Sequence, residues 1–328
     1  MLGRFGDYTL LRKLGAGGMS EVFLARRERA SGVAGEPRVV VLKRILPHLA
    51  HHRHLIELFM NEARLATQLV APNIARVYDA GSVEDRDYLT MELIAGADLA
   101  HLRERCGRAP AAELGIGAVV RLVSDLCAGL HHAHELGVVH GDIHPHNVMI
   151  TFDGVAKLID FGVARATLAA WDATAGGTYA YMAPEQLRGQ TCDRRADVFA
   201  VGVVLWELLT GRPLFRRDAN YLTLTAVVED EAPSVGIDAL DRVLIAALAK
   251  SPDARTPTCA ALAASLEALA AEHRWDAGAD DLARPVAALF AAERGAIART
   301  LTRTATTSLD AWLQAMDRDT RLPWLPGV

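Results

Sequence analysis

The hydrophobic period of this chain shifts from mainly strand-like to mainly helical near Gly96, and that shift constrains the fold more than any other feature. Before it, residues 8–14, 21–25, 38–43, 74–80 and 88–93 alternate or run as β-branched stretches and read as strands, with one helical pattern at 55–69. After it, apolar residues recur at helical spacing over 99–106, 113–136, 196–209, 220–229, 238–249 and 258–271. A short strand, loop and strand at 138–159 interrupts the helices. A small β-rich part followed by a larger helical one predicts an α+β chain with two lobes. The sequence divides them at about 8–94 and 97–271, and residues 272–328 read as a C-terminal extension, helical near 282–300.

Composition removes several alternatives. With 51% hydrophobic and 23% charged residues, the chain can bury a large core. A formal net charge of −5 gives no general attraction to nucleic acid. Cys106, Cys127, Cys192 and Cys259 lie far apart without a Cys-x-x-Cys pair, which argues against a disulfide framework or a zinc ribbon and fits a reducing compartment. The first ten residues carry charges and no apolar core of a leader, and the most apolar run, 198–209, is too short to span a bilayer and contains Glu207. A cytoplasmic protein without membrane contact is the expectation.

Three segments carry phosphate chemistry. Gly15-Ala16-Gly17-Gly18-Met19-Ser20-Glu21-Val22 places glycines at a strand-to-strand turn, where backbone N–H groups can approach phosphate oxygens that a Cβ would hinder. It does not match the Gly-x-x-x-x-Gly-Lys-Ser/Thr loop. Lys43 ends the apolar strand Val40-Val41-Leu42, and Glu62 on the following helix can hold its ammonium over α- and β-phosphates. The third segment is His140-Gly141-Asp142-Ile143-His144-Pro145-His146-Asn147, followed by Asp160-Phe161-Gly162. Asp142 can orient a hydroxyl and accept its proton, while Asn147 and Asp160 offer hard oxygen ligands to Mg²⁺. The nearby imidazoles show no third-ligand spacing for a transition metal, and the acids suit Mg²⁺ better.

In this order and spacing, the motifs resemble those of bacterial eukaryotic-like serine/threonine protein kinases over residues 8–271. Ala71-Pro72-Asn73-Ile74, the Met91-Glu92-Leu93-Ile94 hinge, Gly177-Thr178, Ala183-Pro184-Glu185, Asp197, Gly202 and Arg255 extend the match. The resemblance implies the two-lobed kinase fold with ATP in the cleft and Mg²⁺, or alternatively Mn²⁺, on Asn147 and Asp160. It implies that Leu14, Gly15, Ala16, Gly17, Gly18, Val22, Val41, Lys43, Met91, Glu92, Ile94, Asp98 and Met149 line the nucleotide. Of these, Met91 would be the gatekeeper and Asp98 the ribose-binding acid. The catalytic set it implies is Lys43, Glu62, Asp142, His144, Asn147 and Asp160. His140 and Phe161 would be packing residues, and Arg255 would pair with Glu185. Protein substrates carrying Ser or Thr, the chain itself included, are expected, and the extension could dock a protein partner.

The departures matter as much. Ser20 replaces the third loop glycine, and Val41 replaces a usual alanine above the adenine. Gly141 stands where an arginine commonly receives an activation-segment phosphate, so phosphorylation of Thr167 or Thr174 loses one receiver. His144 replaces a lysine that stabilises γ-phosphate charge, which a histidine does fully only when protonated, near its reference pKa of about 6.5. Two alternatives therefore stay open: a small-molecule phosphotransferase, in which His-Gly-Asp is common, and a catalytically weak pseudokinase scaffold.

Overall fold

A computed structural model describes residues 2–17, 20–28, 37–49, 51–107, 109–161 and 178–306, apart from the side chains of 53–55, 58, 62 and 300–306. The chain divides into two compact units. The first comprises residues up to Val70, Ala75–Ala97 and the chain from Phe290; the second comprises Ala71–Ile74 and Asp98–Leu289.

The first unit is built on β1 (Gly3–Phe5), β2 (Tyr8–Ala16), β3 (Ser20–Arg27), β4 (Val39–Ile45), β5 (Val77–Val83) and β6 (Arg86–Met91), with α1 (Arg53–Ala66) between β4 and β5. They form one antiparallel sheet in the order β1-β2-β3-β4-β6-β5. Alternation decides what each face of β4 meets, because successive side chains point to opposite faces of a strand. Val40 and Leu42 join Phe5, Tyr8, Leu10, Phe23, Ala25 and Tyr88 in one apolar cluster. Val41 and Ile45 join Val22, Leu89 and Met91 in another, closed by Phe59 and Ala63 of α1. Lys43 lies between Val41 and Ile45 in this second row and is only 5% exposed. The expected strand at 74–80 starts later, at Val77, because Ile74 forms a parallel bridge to Leu158 inside the second unit.

The main run of the second unit starts at Asp98, the last residue of β7 (Gly96–Asp98), the outer strand of a small sheet ordered β7-β8-β9. Around it lie α2 (Leu99–Cys106), α3 (Pro110–Leu114), α4 (Ile116–Glu135), α5 (Pro184–Leu187), α6 (Arg195–Thr210), α7 (Asn220–Glu229), α8 (Asp238–Ala247), α9 (Cys259–His273) and α10 (Ala279–Leu289). The sequence pattern ran 113–136 together; the structure breaks it at Gly115, whose φ of 87° ends α3 and starts α4 at a new angle. α6 is buried all round from Ala196 to Leu208, as its unbroken apolar run requires. Each fully buried Val or Leu on it contributes about 1.5–3 kcal/mol of apolar burial. β8 (Val148–Thr151) and β9 (Ala156–Leu158) form a tight antiparallel hairpin.

The segment after α9 is built into this unit. A Cβ on Gly117 of α4 would lie 2.3 Å from the Trp275 carbonyl oxygen, and one on Gly154 of the β8–β9 turn 2.1 Å from that of Ala279. Both glycines are therefore slots for backbone. α11 (Ala291–Thr306) follows α10 and belongs to the first unit. No helix among the described residues is long and apolar enough to cross a membrane.

Candidate active site

The first unit gathers Leu14, Val22, Val41, Lys43 and Met91 of the predicted nucleotide-lining residues on one side of its sheet. Val22 on β3 is paired with Lys43 on β4, and Val41 with Met91 on β6. Val22, Val41 and Met91 share one apolar cluster, against which Leu14 packs. Gly15 and Ala16 pair with Val22 and Glu21 at the end of β2, and the Gly17 N–H donates to the Ser20 carbonyl at 2.8 Å, so the hairpin closes tightly without the third glycine. Glu21 is gripped by Lys13 at 3.1 Å and Arg44 at 2.7 Å; burial raises its pKa, and the two cations outweigh this and hold it below the ordinary value. Glu92 is fixed by its backbone N–H to the Arg76 carbonyl and by its carboxylate on the Arg76 N–H; Ile94 is buried. Gly18, Gly162, Thr167, Thr174, Gly177 and the side chain of Glu62 lie outside the described residues, so the expected Lys43–Glu62 pair is not described.

In the second unit, the β8–β9 hairpin positions the polar groups. Val148 pairs with Leu158, and the Ile159 N–H donates to the Asn147 carbonyl at 3.1 Å. Asn147 precedes the first strand and Asp160 follows the second, so hairpin register alone brings both to the same open end. Met149, one residue into β8, is buried. Asp160 has a φ of 58°, a left-handed backbone that few non-glycine residues adopt and that recurs where function fixes a side chain. The Asn147 Nδ2 donates to the Asp142 carbonyl at 2.9 Å and to its Oδ2 at 3.2 Å. That assignment leaves Asn147 Oδ1 as a hard oxygen donor, and with the Asp160 carboxylate it suits an octahedral divalent cation such as Mg²⁺.

Asp142 is held ionised. Burial raises its pKa, but the His144 contact and the Asn147 amide outweigh this and carry it below the usual carboxylate value. A carboxylate so stabilised orients a hydroxyl better than it stores a proton. His144 Nε2 lies 3.6 Å from Asp142 Oδ2. His140 is wholly buried, and burial depresses its pKa, so it stays neutral. Its Nε2 contacts the Ile159 carbonyl at 3.0 Å, its Nδ1 faces the Asp142 N–H at 3.3 Å, and its ring lies 4.6 Å from Phe161. It packs and carries no charge, as expected.

The loop hangs from α6. Asp197, 1% exposed, accepts from the His140 N–H at 2.9 Å and the Gly141 N–H at 2.7 Å, and contacts His134 Nε2 at 2.7 Å. Burial opposes the charge on His134, yet the Asp197 carboxylate raises its pKa to about 9. Gly141 has a φ of 72°, where a side chain would be strained. Its carbonyl accepts from Gln186 Nε2 at 2.8 Å, while Gln186 Oε1 takes the Ala183 N–H at 2.9 Å. Glu185 and Arg255 form the expected pair, a buried fork at 2.6 and 3.0 Å, with Arg255 also donating to the Ala249 and Arg195 carbonyls. Tyr181 OH donates to Glu207 at 2.7 Å, and Arg103 joins the same carboxylate. The segment around Ala183-Pro184-Glu185 is thus tied to Gly141, to α6 and to the loop before α9.

Asp98 is fully buried. Its carboxylate caps α2 through the His101 N–H at 2.8 Å and faces His101 Nδ1 at 2.8–2.9 Å and His146 Nδ1 at 3.5 Å. Burial raises its pKa, and these contacts outweigh it and keep the group ionised. Sequence reasoning missed Gln186, His134 and the Tyr181–Arg103–Glu207 cluster. Glu207, an acid inside an apolar helix, was the one visible sign of a buried polar network; Gln186 gave none.

A profile of the family described as "Protein kinase domain" matches residues 8–277. Among curated proteins, the chain is 39% identical over 312 residues to the tyrosine-protein kinase MasK of Myxococcus xanthus, covering 90% of this chain and 48% of that protein. It is 36% identical over 274 residues to the serine/threonine-protein kinase PknB of Mycobacterium leprae, covering 79% of this chain and 42% of that protein. The chain thus spans less than half the length of these two relatives. The crystal structure of the Mycobacterium tuberculosis PknI kinase domain superposes with a TM-score of 0.63 at 28% identity, covering 81% of this chain and 96% of that one.

Proposed function

The chain belongs to the protein kinase family, and from that premise we propose that it transfers the γ-phosphate of ATP to serine or threonine hydroxyls of proteins, its own included. The observation that carries this reading is the convergence of Asp142, Asn147 and Asp160 at one end of the β8–β9 hairpin. Asn147 and Asp160 would hold Mg²⁺, which supplies the charge that offsets the phosphates during transfer. Lys43 would take the α- and β-phosphates, and Val22, Val41 and Met91 of the first unit the adenine. Asp142, ionised and fixed by Asn147, orients the attacking hydroxyl. His144, beside that carboxylate, stands in for a cation near the transferred group.

Protein substrates are favoured over small alcohols by the tethered segment at 181–187. Its Glu185–Arg255 fork and Gln186–Gly141 bond give an extended peptide a rigid surface next to Asp142. The retained Lys43, Asp142, Asn147 and Asp160 favour activity over a scaffold role. We place the kinase domain from residue 8 past the expected boundary at 271, through the segment that follows α9, with an extension beyond it, and the protein in the cytoplasm.

One observation favours a second acceptor: the relative sharing 39% identity is named a tyrosine-protein kinase. Incubation with labelled ATP and Mg²⁺, followed by phosphoamino-acid analysis and mass spectrometry, separates the two. Phosphoserine or phosphothreonine, lost about 10²- to 10⁴-fold in Asp142→Asn, is the expected result. Phosphotyrosine alone would replace the acceptor assignment, and label unaffected by Asp142→Asn would end the proposal.

A further inference from the structure

The sequence places His140, His144 and His146 close together at a spacing that fits no transition-metal ligand set, and the flanking acids suit Mg²⁺ better. The fold supplies the missing ligands from elsewhere. Asp98 and His101 stand on the first turn of α2, and α2 packs against the turn Pro145–Asn147 that carries His146. One ligand atom each from Asp98, His101 and His146 lies within 4.8 Å of the other two. Among the described residues this is the one such grouping of three.

We propose that Asp98, His101 and His146 form a binding site for a divalent transition-metal ion of the Zn²⁺ class, separate from the hard-oxygen pair Asn147 and Asp160. Two imidazoles and one carboxylate are a donor set that Zn²⁺ accepts, with a fourth position left for water. Tetrahedral bonds of about 2.0–2.1 Å to nitrogen and oxygen put neighbouring donors about 3.3–3.4 Å apart. The His146–Asp98 separation of 3.5 Å already fits. The His101–Asp98 separation of 2.8 Å is a hydrogen bond, so loading moves the ring proton from Nδ1 to the far nitrogen, Nε2, by way of solvent; the neutral imidazole then offers Nδ1 to the ion, and the donors open by about half an ångström. The remaining edge closes through His146, whose side chain is 47% exposed and can swing inward. The carboxylate, by contrast, is wholly buried and anchored by the His101 N–H, so one ligand is preorganised before the ion arrives.

Ligand softness separates this site from the nucleotide's cation. Imidazole selects Zn²⁺, Ni²⁺ or Cu²⁺ over Mg²⁺, so millimolar Mg²⁺ leaves it free. The site does not depend on the proposed phosphotransfer, and the test keeps the two apart.

The test is Zn²⁺ binding to the whole chain in millimolar Mg²⁺, by competition with a chromophoric chelator, with X-ray absorption of the loaded protein. One equivalent is expected, in a shell of nitrogen and oxygen containing two imidazoles. His146→Ala, at a half-exposed position that leaves the fold intact, and His101→Ala should each weaken binding at least tenfold. His48→Ala, on a separate exposed turn, should leave it unchanged. Zinc-bound sulfur at about 2.3 Å would point to Cys106 or Cys192 and overturn the assignment. So would a Kd unmoved by His146→Ala, or no binding in the presence of Mg²⁺. A protein that binds Zn²⁺ as described yet transfers no phosphate would refute the kinase reading and leave this site standing.

Discussion

The charge pair between His134 and Asp197 makes stability depend on pH in a direction that can be worked out. His134 has no exposed side-chain surface, and Asp197 raises its pKa from 6.5 to about 9. The folded protein therefore binds this proton more tightly than the unfolded chain does. For a group whose folded pKa is raised, the stabilisation is complete below the unfolded value and disappears as pH climbs through the folded one. The window runs from about pH 6.5 to about pH 9, and the difference corresponds to about 3 kcal/mol. His134→Gln keeps a donor for Asp197 but cannot carry charge. Urea unfolding of both proteins, followed at several pH values across the window, isolates the effect. Lys250, whose pKa burial lowers to about 8, contributes the opposite slope, but equally in both proteins. Wild type should lose about 3 kcal/mol relative to the variant between pH 6 and pH 9. Parallel pH dependences would show that His134 folds neutral and that Asp197 holds the catalytic loop by backbone bonds alone.

The Glu185–Arg255 fork is buried, so Arg255→Ala should destabilise the second unit by about 3–5 kcal/mol, while Glu185→Leu with Arg255→Met recovers most of it. Urea midpoints decide this, and a loss under about 1 kcal/mol for the single variant would place the pair among the weak ones. His144→Ala should lower kcat for phosphoryl transfer on the order of 10- to 100-fold and leave the KM for ATP little changed, with His144→Lys restoring the rate. An unchanged kcat would reduce His144 to a packing residue beside Tyr181.

The site was legible where chemistry is written in short runs. Asp142, Asn147 and Asp160 flank one hairpin, and a strand pair of three rows carries little ambiguity about where its ends meet. Lys43 stood out as a lysine ending an apolar strand and Val41 came through resemblance; the alternation of β4 then explains why the two share a face. The Glu185–Arg255 pair, 70 residues apart, came only through resemblance, because no local pattern links an acid on one helix to an arginine that far along the chain. Gln186 was invisible for a similar reason, since its partners Gly141 and Ala183 are backbone groups that any residue offers. The histidines show what local spacing does not carry: the packing of α2 on the catalytic loop brings Asp98 and His101 beside His146, and the metal site proposed there is written in no single segment. Local spacing is informative only when ligands come from one element.

Two missing methyl groups fix where this protein may be shortened. Gly117 and Gly154 leave just enough room for the main chain at Trp275 and Ala279, and beyond them Leu282 and Val286 are wholly enclosed. A fragment cut after Ala271 would empty both notches and strip those two side chains from their seats. The strap that follows α9 is masonry, and the wall it closes includes the turn at the far end of the hairpin that presents Asn147 and Asp160.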